Sequence, residues 1–83
     1  MPNKKMLASA MLEFRKQQGW SVREMTDKLN EHLPERHQLA FPTIAAWEQG
    51  RNPVSFYVMF YLSHEANGDL KAFAANMCKV MAG

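Results

Sequence analysis

A short apolar segment that ends in a glycine constrains this chain more than any other feature. Residues 43–53 have the sequence TIAAWEQGRNP, which predicts a short helix ending at Gly50 and then a basic turn. Upstream, residues 15–24 (RKQQGWSVRE) predict a helix end at Gly19 and the start of a new helix at Ser21. Two short helices bounded in this way outline a helix-turn-helix, a motif that places one helix in the major groove of DNA.

The apolar spacing along the chain predicts an all-α fold of five helices. The run 56–62 fits a buried strand equally well by periodicity, but no partner strand is predicted elsewhere, so we interpret it as helix. In chain order, the predicted helices cover residues 4–18, residues 22 to about 33 with Pro34 as the stop, residues 41–49, residues 56–65, and a fifth helix after Asn67 and Gly68 with Asp69 as its cap.

Length and charge restrict the class of protein. The chain has 83 residues, which corresponds to a single domain over residues 1–83. A net charge of +2 permits nucleic-acid binding, although a clustered basic face would matter more than the sum. The single cysteine, Cys78, excludes an internal disulfide and suits a reducing compartment. No secretory leader and no apolar run of about 20 residues is found, so we expect a cytoplasmic protein without membrane contact.

The sequence contains none of the common catalytic motifs. A P-loop, a nucleophile elbow and a dinucleotide fingerprint are all missing. His32, His37 and His64 lack the i, i+4 spacing of a two-histidine metal site, and no CxxC accompanies them. Cys78 has apolar neighbours, which indicates packing instead of nucleophilic chemistry. We therefore expect no enzyme activity, no metal and no cofactor.

Three short motifs carry a resemblance to a known family. Arg15 lies four residues before Gly19. Ser21 and Glu24 have the spacing of a capping box, and residues 47–50 (WEQG) close the third helix. In these motifs the chain resembles the lambda-repressor-like, or Xre/Cro, family of helix-turn-helix regulators. The resemblance extends over most of the chain and implies a compact five-helix domain.

The resemblance also implies how residues 7–70 are used. The helix-turn-helix would occupy about residues 21–50, and helices 4 and 5, about residues 55–81, would complete the core. An ion pair between Arg15 and Glu48 would fix helix 3 on helix 1. The alternative for this pair is two unrelated surface charges.

Two side chains and one turn depart from the family pattern. Val22 stands where the family usually has glutamine, and Thr26 stands where it has the alanine of a tight helix crossing. The turn between helices 2 and 3, residues 30–40, is much longer than the usual short turn. Its polar part, residues 35–38, is either a tolerated surface insertion or a loop that contacts DNA beside helix 3.

Helix 3 is the predicted recognition helix. Its outward face has few of the side chains that favour direct readout of bases, so contacts with thymine methyl groups are expected as well. Phosphate contacts are expected from the start of helix 2, the long turn and the basic turn after helix 3. The candidates for base contacts are Phe41, Pro42, Thr43, Ala45, Ala46 and Gln49. The candidates for phosphate contacts are Ser21, Arg23, Arg36, His37, Gln38, Arg51 and Asn52.

Helix 4 has more apolar surface than a single buried stripe uses. Phe56, Met59 and Phe60 are predicted to face the core, which leaves Val58 and Leu62, among others, on other faces. Helix 5 adds methionine-rich surface, and a monomer seldom exposes a large apolar patch, so a dimer is expected. The alternative is a well-filled single core. The candidate interface residues are Tyr57, Tyr61, Phe73, Met77, Val80 and Met81.

These features predict a sequence-specific regulator that binds double-stranded operator DNA as a homodimer. A Cro-like repressor on a near-palindromic site is the simplest form, with occupancy that follows its own concentration. An antitoxin-type protein, whose helix 4 and 5 surface binds a protein partner, is the main alternative. A protein that coats DNA without sequence preference is a second alternative, although the modest net charge argues against it.

Overall fold

A computed structural model describes residues 4–83, which form five α-helices and no strand. The all-α prediction is confirmed for this part of the chain, and each predicted helix is present. A 3₁₀ turn, Glu35–His37, lies in the connection between the second and third helices. The helices are α1 (Lys4–Gln18), α2 (Val22–Asn30), α3 (Phe41–Glu48), α4 (Phe56–Glu65) and α5 (Gly68–Ala82).

Two glycines determine where α1 and α3 end. Gly19 and Gly50 have φ values of +75° and +72°, a conformation that costs a residue with a Cβ roughly 1–2 kcal/mol. Their N–H groups donate to the carbonyls of Lys16 and Trp47 at 3.0 Å and 3.1 Å. Both helix ends therefore lie where the glycines predict them.

The predicted capping box at the start of α2 is confirmed. The Ser21 hydroxyl accepts from the Glu24 N–H at 3.0 Å, and Glu24 Oε1 accepts from the Ser21 N–H at 2.9 Å. α2 ends at Asn30 and is therefore shorter than the predicted helix, which extended to about residue 33. Leu33 nevertheless remains buried beyond the helix end, so the apolar spacing was a better guide to burial than to helix length.

The start of α5 differs from the prediction. Asn67 occupies the N-cap position without a side-chain hydrogen bond, and Gly68 is the first helical residue. Asp69 therefore lies in the first turn, and its assignment as the cap is wrong. Its carboxylate still lies near the positive end of the helix dipole, a favourable position for an acidic side chain.

The core forms where one face of each helix meets the others. α4 packs along α5, and α3 packs against both α1 and α2. Four of the seven largest fully buried side chains are methionines, whose flexible chains fill irregular gaps between helices. These fully buried residues are Met11, Met25, Leu29, Ile44, Met59, Leu62 and Met77.

The buried face of α4 differs from the prediction. Val58, Met59 and Leu62 are buried, whereas Phe56 and Phe60 are 48% and 50% exposed. The two phenylalanines are four residues apart and share a second face of the helix, next to the buried stripe. The assignment of Phe56 and Phe60 to the core is therefore wrong, and so is the placement of Val58 and Leu62 outside it.

The predicted apolar surface of α5 is largely used inside the fold. Met77 is 1% exposed, so its assignment to a dimer interface is wrong. Phe73, Val80 and Met81 are half-buried and pack against the core, as Tyr61 does. The apolar stripe of α5 is covered because α4 lies along it. Among the six interface candidates, only Tyr57 has an exposed side chain, at 45%.

We expect the contribution of the capping box to stability to fall at acidic pH. Hydrogen bonds from the backbone and then the side chain of Ser21 lower the pKa of Glu24 below its ordinary value of 4.5. Because the folded-state pKa is the lower one, this contribution is present above about pH 4.5 and is lost as the pH falls through the folded-state pKa. The variant Glu24→Gln keeps a capping side chain that does not titrate.

Urea unfolding of the wild type and of Glu24→Gln at about pH 6 and about pH 3 measures this effect. The advantage of the wild type over the variant should shrink at the lower pH. A difference in unfolding free energy that stays constant across this range would contradict the expectation.

Candidate nucleic-acid interface

One face of α3 is open to solvent. Phe41, Ala45 and Gln49 are spaced by four residues and form a row along this face, which we call the α3 row. Phe41 is 39% exposed, Ala45 is half-buried and Gln49 is exposed. Near the start of the helix, Pro42 is exposed and Thr43 is half-buried. Five of the six candidates for base contacts therefore keep surface that a ligand can reach.

Ala46 is the exception among these candidates. Its side chain is 3% exposed and lies with Ile44 and Trp47 on the buried side of α3. The prediction that Ala46 contacts bases is wrong, because the core stripe of α3 includes it. Its carbonyl still accepts from the N–H groups of Arg51 at 3.0 Å and Asn52 at 3.5 Å, which holds the basic turn against the end of α3.

An arginine lies at each end of the α3 row. The Arg23 guanidinium, on α2, lies over the Phe41 ring at 4.7 Å from its centroid. Arg51 Nε donates to Gln49 Oε1 at 2.8 Å. Both arginines and Asn52 are exposed. The α3 row therefore presents apolar and amide groups between two arginines, and each arginine is held in place by a contact with a member of the row.

An ion pair ties α3 to α1, which confirms the predicted pair. Arg15 Nε donates to Glu48 Oε2 at 2.8 Å, and the two side chains are 16% and 7% exposed. Arg15 Nη1 also donates to the Trp20 carbonyl at 2.9 Å, so the same guanidinium holds the turn before α2. One side chain thus fixes the positions of α1, α3 and the α1–α2 turn relative to each other.

Val22 and Thr26, the two α2 side chains that differ from the pattern of the resembled family, are both accommodated in the fold. Thr26 is 6% exposed, and its hydroxyl donates to the Val22 carbonyl at 2.9 Å, so the buried oxygen is satisfied. Val22 is half-buried and packs against the core. Ser21 and Arg23 are exposed beside it and remain the polar groups of this helix start.

The long turn between α2 and α3 is held by side-chain amides. Asn30 Nδ2 donates to the Leu39 carbonyl at 2.9 Å, and Asn30 Oδ1 accepts from the Leu39 N–H at 2.7 Å. Gln38 Nε2 donates to the carbonyls of Asn30 at 3.0 Å and Leu33 at 2.8 Å. The donors of Gln38, a phosphate candidate, are thus engaged within the turn. The structural role of Asn30 was missed, since nothing in its local sequence indicates a partner nine residues away.

The turn also reaches α4. The His37 ring lies 4.6 Å from the Tyr57 ring between centroids. Arg36 Nε donates to His37 Nε2 at 3.4 Å, and the Arg36 side chain is exposed. The 3₁₀ turn therefore presents Arg36 to solvent while His37, half-buried, anchors the turn against α4.

The histidines, the acidic side chains and the single cysteine do not form a cluster within residues 4–83. Over residues 4–83, no three His, Cys, Asp or Glu side chains lie close enough together to hold a metal ion. Burial raises the pKa of the Cys78 thiol above its ordinary value of 9.0, which a hydrogen bond with Ser63 only partly offsets, so the thiol stays protonated at neutral pH. In the same range, no helix has the length and apolar character that crossing a bilayer requires.

Comparisons with known proteins were made at three levels. Searches against protein-family models, curated proteins and solved structures found no match.

Proposed function

We propose that this chain is a sequence-specific regulator that binds double-stranded DNA through a lambda-repressor-like helix-turn-helix of α2 and α3. The observation that carries the proposal is the α3 row with Arg23 at one end and Arg51 at the other. Direct base contacts need side chains that can hydrogen-bond to base edges or pack against thymine methyl groups, and positioning on the duplex needs cations near phosphates on both sides. The α3 row supplies the first, and Arg23 on α2 and Arg51 after α3 supply the second.

Each member of the row has a defined contact to offer. The Gln49 amide can pair with the donor and acceptor edge of adenine, and Ala45 can pack against a thymine methyl. The Phe41 ring adds a second apolar contact at the N-terminal end of α3, the end that enters the groove most deeply in this motif. On DNA, Arg51 would exchange its bond to Gln49 for a phosphate oxygen, which frees the amide to contact a base.

The Arg15–Glu48 ion pair supports the proposal through rigidity. Base contacts require a recognition helix whose position relative to the phosphate-binding groups is fixed before binding. Arg15 supplies this, because it holds α3 through Glu48 and the start of α2 through the Trp20 carbonyl. A homodimer would then place two copies of α3 in successive major grooves, about 34 Å apart on a near-palindromic operator. Steric exclusion of polymerase would follow from such occupancy.

Selection of bound duplexes from a random library, followed by titration of the enriched sequence across a salt series, tests this function. We expect a palindromic motif with half-sites about one helical turn apart and an affinity that falls steeply with salt. Recovery of random sequences would contradict the proposal, because it would mean that the α3 row does not read bases.

Replacement of Arg51 by alanine should weaken binding to every duplex by a similar factor. Since Arg51 is proposed to bind phosphate, its loss should reduce the slope of log affinity against log salt by about 1 without changing the preferred sequence. Lys79→Ala, at an exposed position on α5, removes the same charge and should leave the slope unchanged. Equal effects of Arg51→Ala and Lys79→Ala would show that only net charge matters.

A protein-binding function of the antitoxin type is the second candidate. The observation that favours it is the pair of half-exposed phenylalanines on α4, Phe56 and Phe60, which lie outside the α3 row. An apolar surface of this kind is typical of a protein interface. Failure of the duplex selection combined with a stable complex formed with a different protein would favour this function over DNA binding.

A further inference from the structure

We infer that two copies of this chain associate about a two-fold axis through the exposed aromatic side chains of α4, Phe56, Tyr57 and Phe60, and not through α5. We call these three residues the α4 ridge. The face predicted from sequence was mainly on α5, where Met77 is buried and Phe73, Val80 and Met81 pack against the chain's own core. Three of the five large apolar side chains that are exposed within residues 4–83 belong to the α4 ridge.

The α4 ridge is a preformed surface. Phe56 and Phe60 stack at 5.9 Å between ring centroids, with an interplanar angle of 19°. The His64 ring packs against Phe60 at 4.6 Å and extends the same row by one turn. Tyr57 lies beside this row, 4.6 Å from His37. Because these rings already hold one another, a partner can bind without ordering free side chains, which lowers the entropic cost of association.

The charge distribution favours a second copy as the partner. Residues 56–64 of α4 contain no Asp, Glu, Lys or Arg. In a two-fold contact the same patch meets itself, so a charge close to the axis would face the same charge on the other copy. An uncharged aromatic ridge avoids that repulsion and leaves no buried charge unpaired. A strongly charged partner would find no complementary group along these residues.

The size of the ridge fits the centre of a dimer interface. Phe56, Tyr57 and Phe60 are 48%, 45% and 50% exposed. Since a whole aromatic side chain buries about 150–250 Å², they offer on the order of 300 Å² of apolar surface per copy. A standard interface buries about 800 Å² per partner, with its binding energy concentrated in a central aromatic cluster inside a polar rim. Ser55, Ser63 and His64 border the ridge and provide such a rim.

Binding of this dimer to an operator rests on the proposed function, but association of two copies does not. Association is therefore measured first without DNA. Sedimentation velocity of the full chain, from low micromolar to about 0.1 mM, should show a monomer–dimer equilibrium. Phe60→Ser should raise the dimer dissociation constant by about 30–100-fold, because the lost contact occurs at the centre of the interface. Phe60→Lys should abolish the dimer over this range, because it places like charges opposite each other.

Met81→Ser is the matched control, since it removes a partly exposed apolar side chain from the α5 face predicted from sequence. Its dissociation constant should stay within about threefold of the wild type. The helical circular dichroism and thermal midpoint of each variant verify folding, and Phe60 is exposed enough for both of its variants to fold. Wild type that remains monomeric at about 0.1 mM would overturn the inference. A dimer that survives Phe60→Lys, or that only Met81→Ser disrupts, would also overturn it.

The experiments can contradict the proposed α4 interface and the proposed DNA-binding function independently of each other. A dimer that Phe60→Lys disrupts, in a chain that enriches no duplex sequence, would support the α4 interface while removing the proposed function. Enrichment of a single half-site by a chain that stays monomeric would keep DNA binding and remove the interface. If both are right, Phe60→Lys should still select the same half-site but lose the fixed spacing between two half-sites.

Discussion

Replacing Glu48 with alanine is expected to destabilise the fold by about 2–3 kcal/mol, which corresponds to a fall in thermal midpoint of roughly 10–20 °C for a domain of this size. The reason is the charge that remains. Arg15 is 16% exposed, and without the carboxylate its guanidinium keeps only the Trp20 carbonyl as a partner. Thermal and urea unfolding, monitored by circular dichroism at 222 nm, measure the change.

A double variant separates the cost of the unpaired charge from the value of the pair. In Arg15→Met with Glu48→Leu no charge is left without a partner, so this variant should recover most of the stability that Glu48→Ala loses. Glu13→Ala removes an exposed carboxylate from α1 and should change stability by less than about 0.5 kcal/mol. A loss below about 1 kcal/mol for Glu48→Ala would mean that the pair behaves as an ordinary surface ion pair.

Glutamine at position 46 should destabilise the fold by about 2–4 kcal/mol, whereas glutamine at position 45 should leave stability almost unchanged. Ala46 is 3% exposed, so a longer side chain there must displace core neighbours and bury an amide. Ala45 is half-buried on the α3 row, where the same amide can reach solvent. Because both positions lie within α3 and receive the same residue, the helix propensity terms cancel between the two variants.

The same pair of variants tests the recognition face. In the duplex selection, Ala45→Gln should change the preferred base at the position that it faces, by about 1–3 kcal/mol of discrimination. Ala46→Gln should keep the wild-type preference in whatever fraction of the protein remains folded. A changed preference with Ala46→Gln and none with Ala45→Gln would place the recognition surface on the opposite side of α3 and contradict the assignment of the α3 row.

Helix positions were predictable because their signals are local. The glycine stops at Gly19 and Gly50 and the capping box of Ser21 and Glu24 each depend on residues within one helical turn. The pairing of Arg15 with Glu48, 33 residues apart, followed from resemblance of motifs and not from local chemistry. Where local signals were weaker, as at Asp69, the boundary was wrong by only two residues.

Which face of a helix is buried was harder to predict than where the helix begins and ends. The first seven of the ten residues of α4 are apolar or aromatic, so the sequence by itself determined that a helix forms but not which stripe of it is buried. Packing along α5 decided that Val58 and Leu62 turn inward, which left Phe56 and Phe60 in water. The same holds for Ala45 and Ala46, two identical neighbours that only the position of α3 against α1 and α2 distinguishes.

Some properties of the candidate site were likewise determined by the sequence, and others only by the tertiary structure. The sequence by itself determined the helices, most of their ends and the residue types that the α3 row and the basic turn contain, because caps, glycines and apolar spacing act within a few residues. The tertiary structure alone decided which of those residues share a face, how Asn30 fastens the long turn at Leu39, and which apolar surface stays exposed. These outcomes depend on contacts between segments that are distant in the chain. The energies of such contacts cannot be inferred from local sequence patterns.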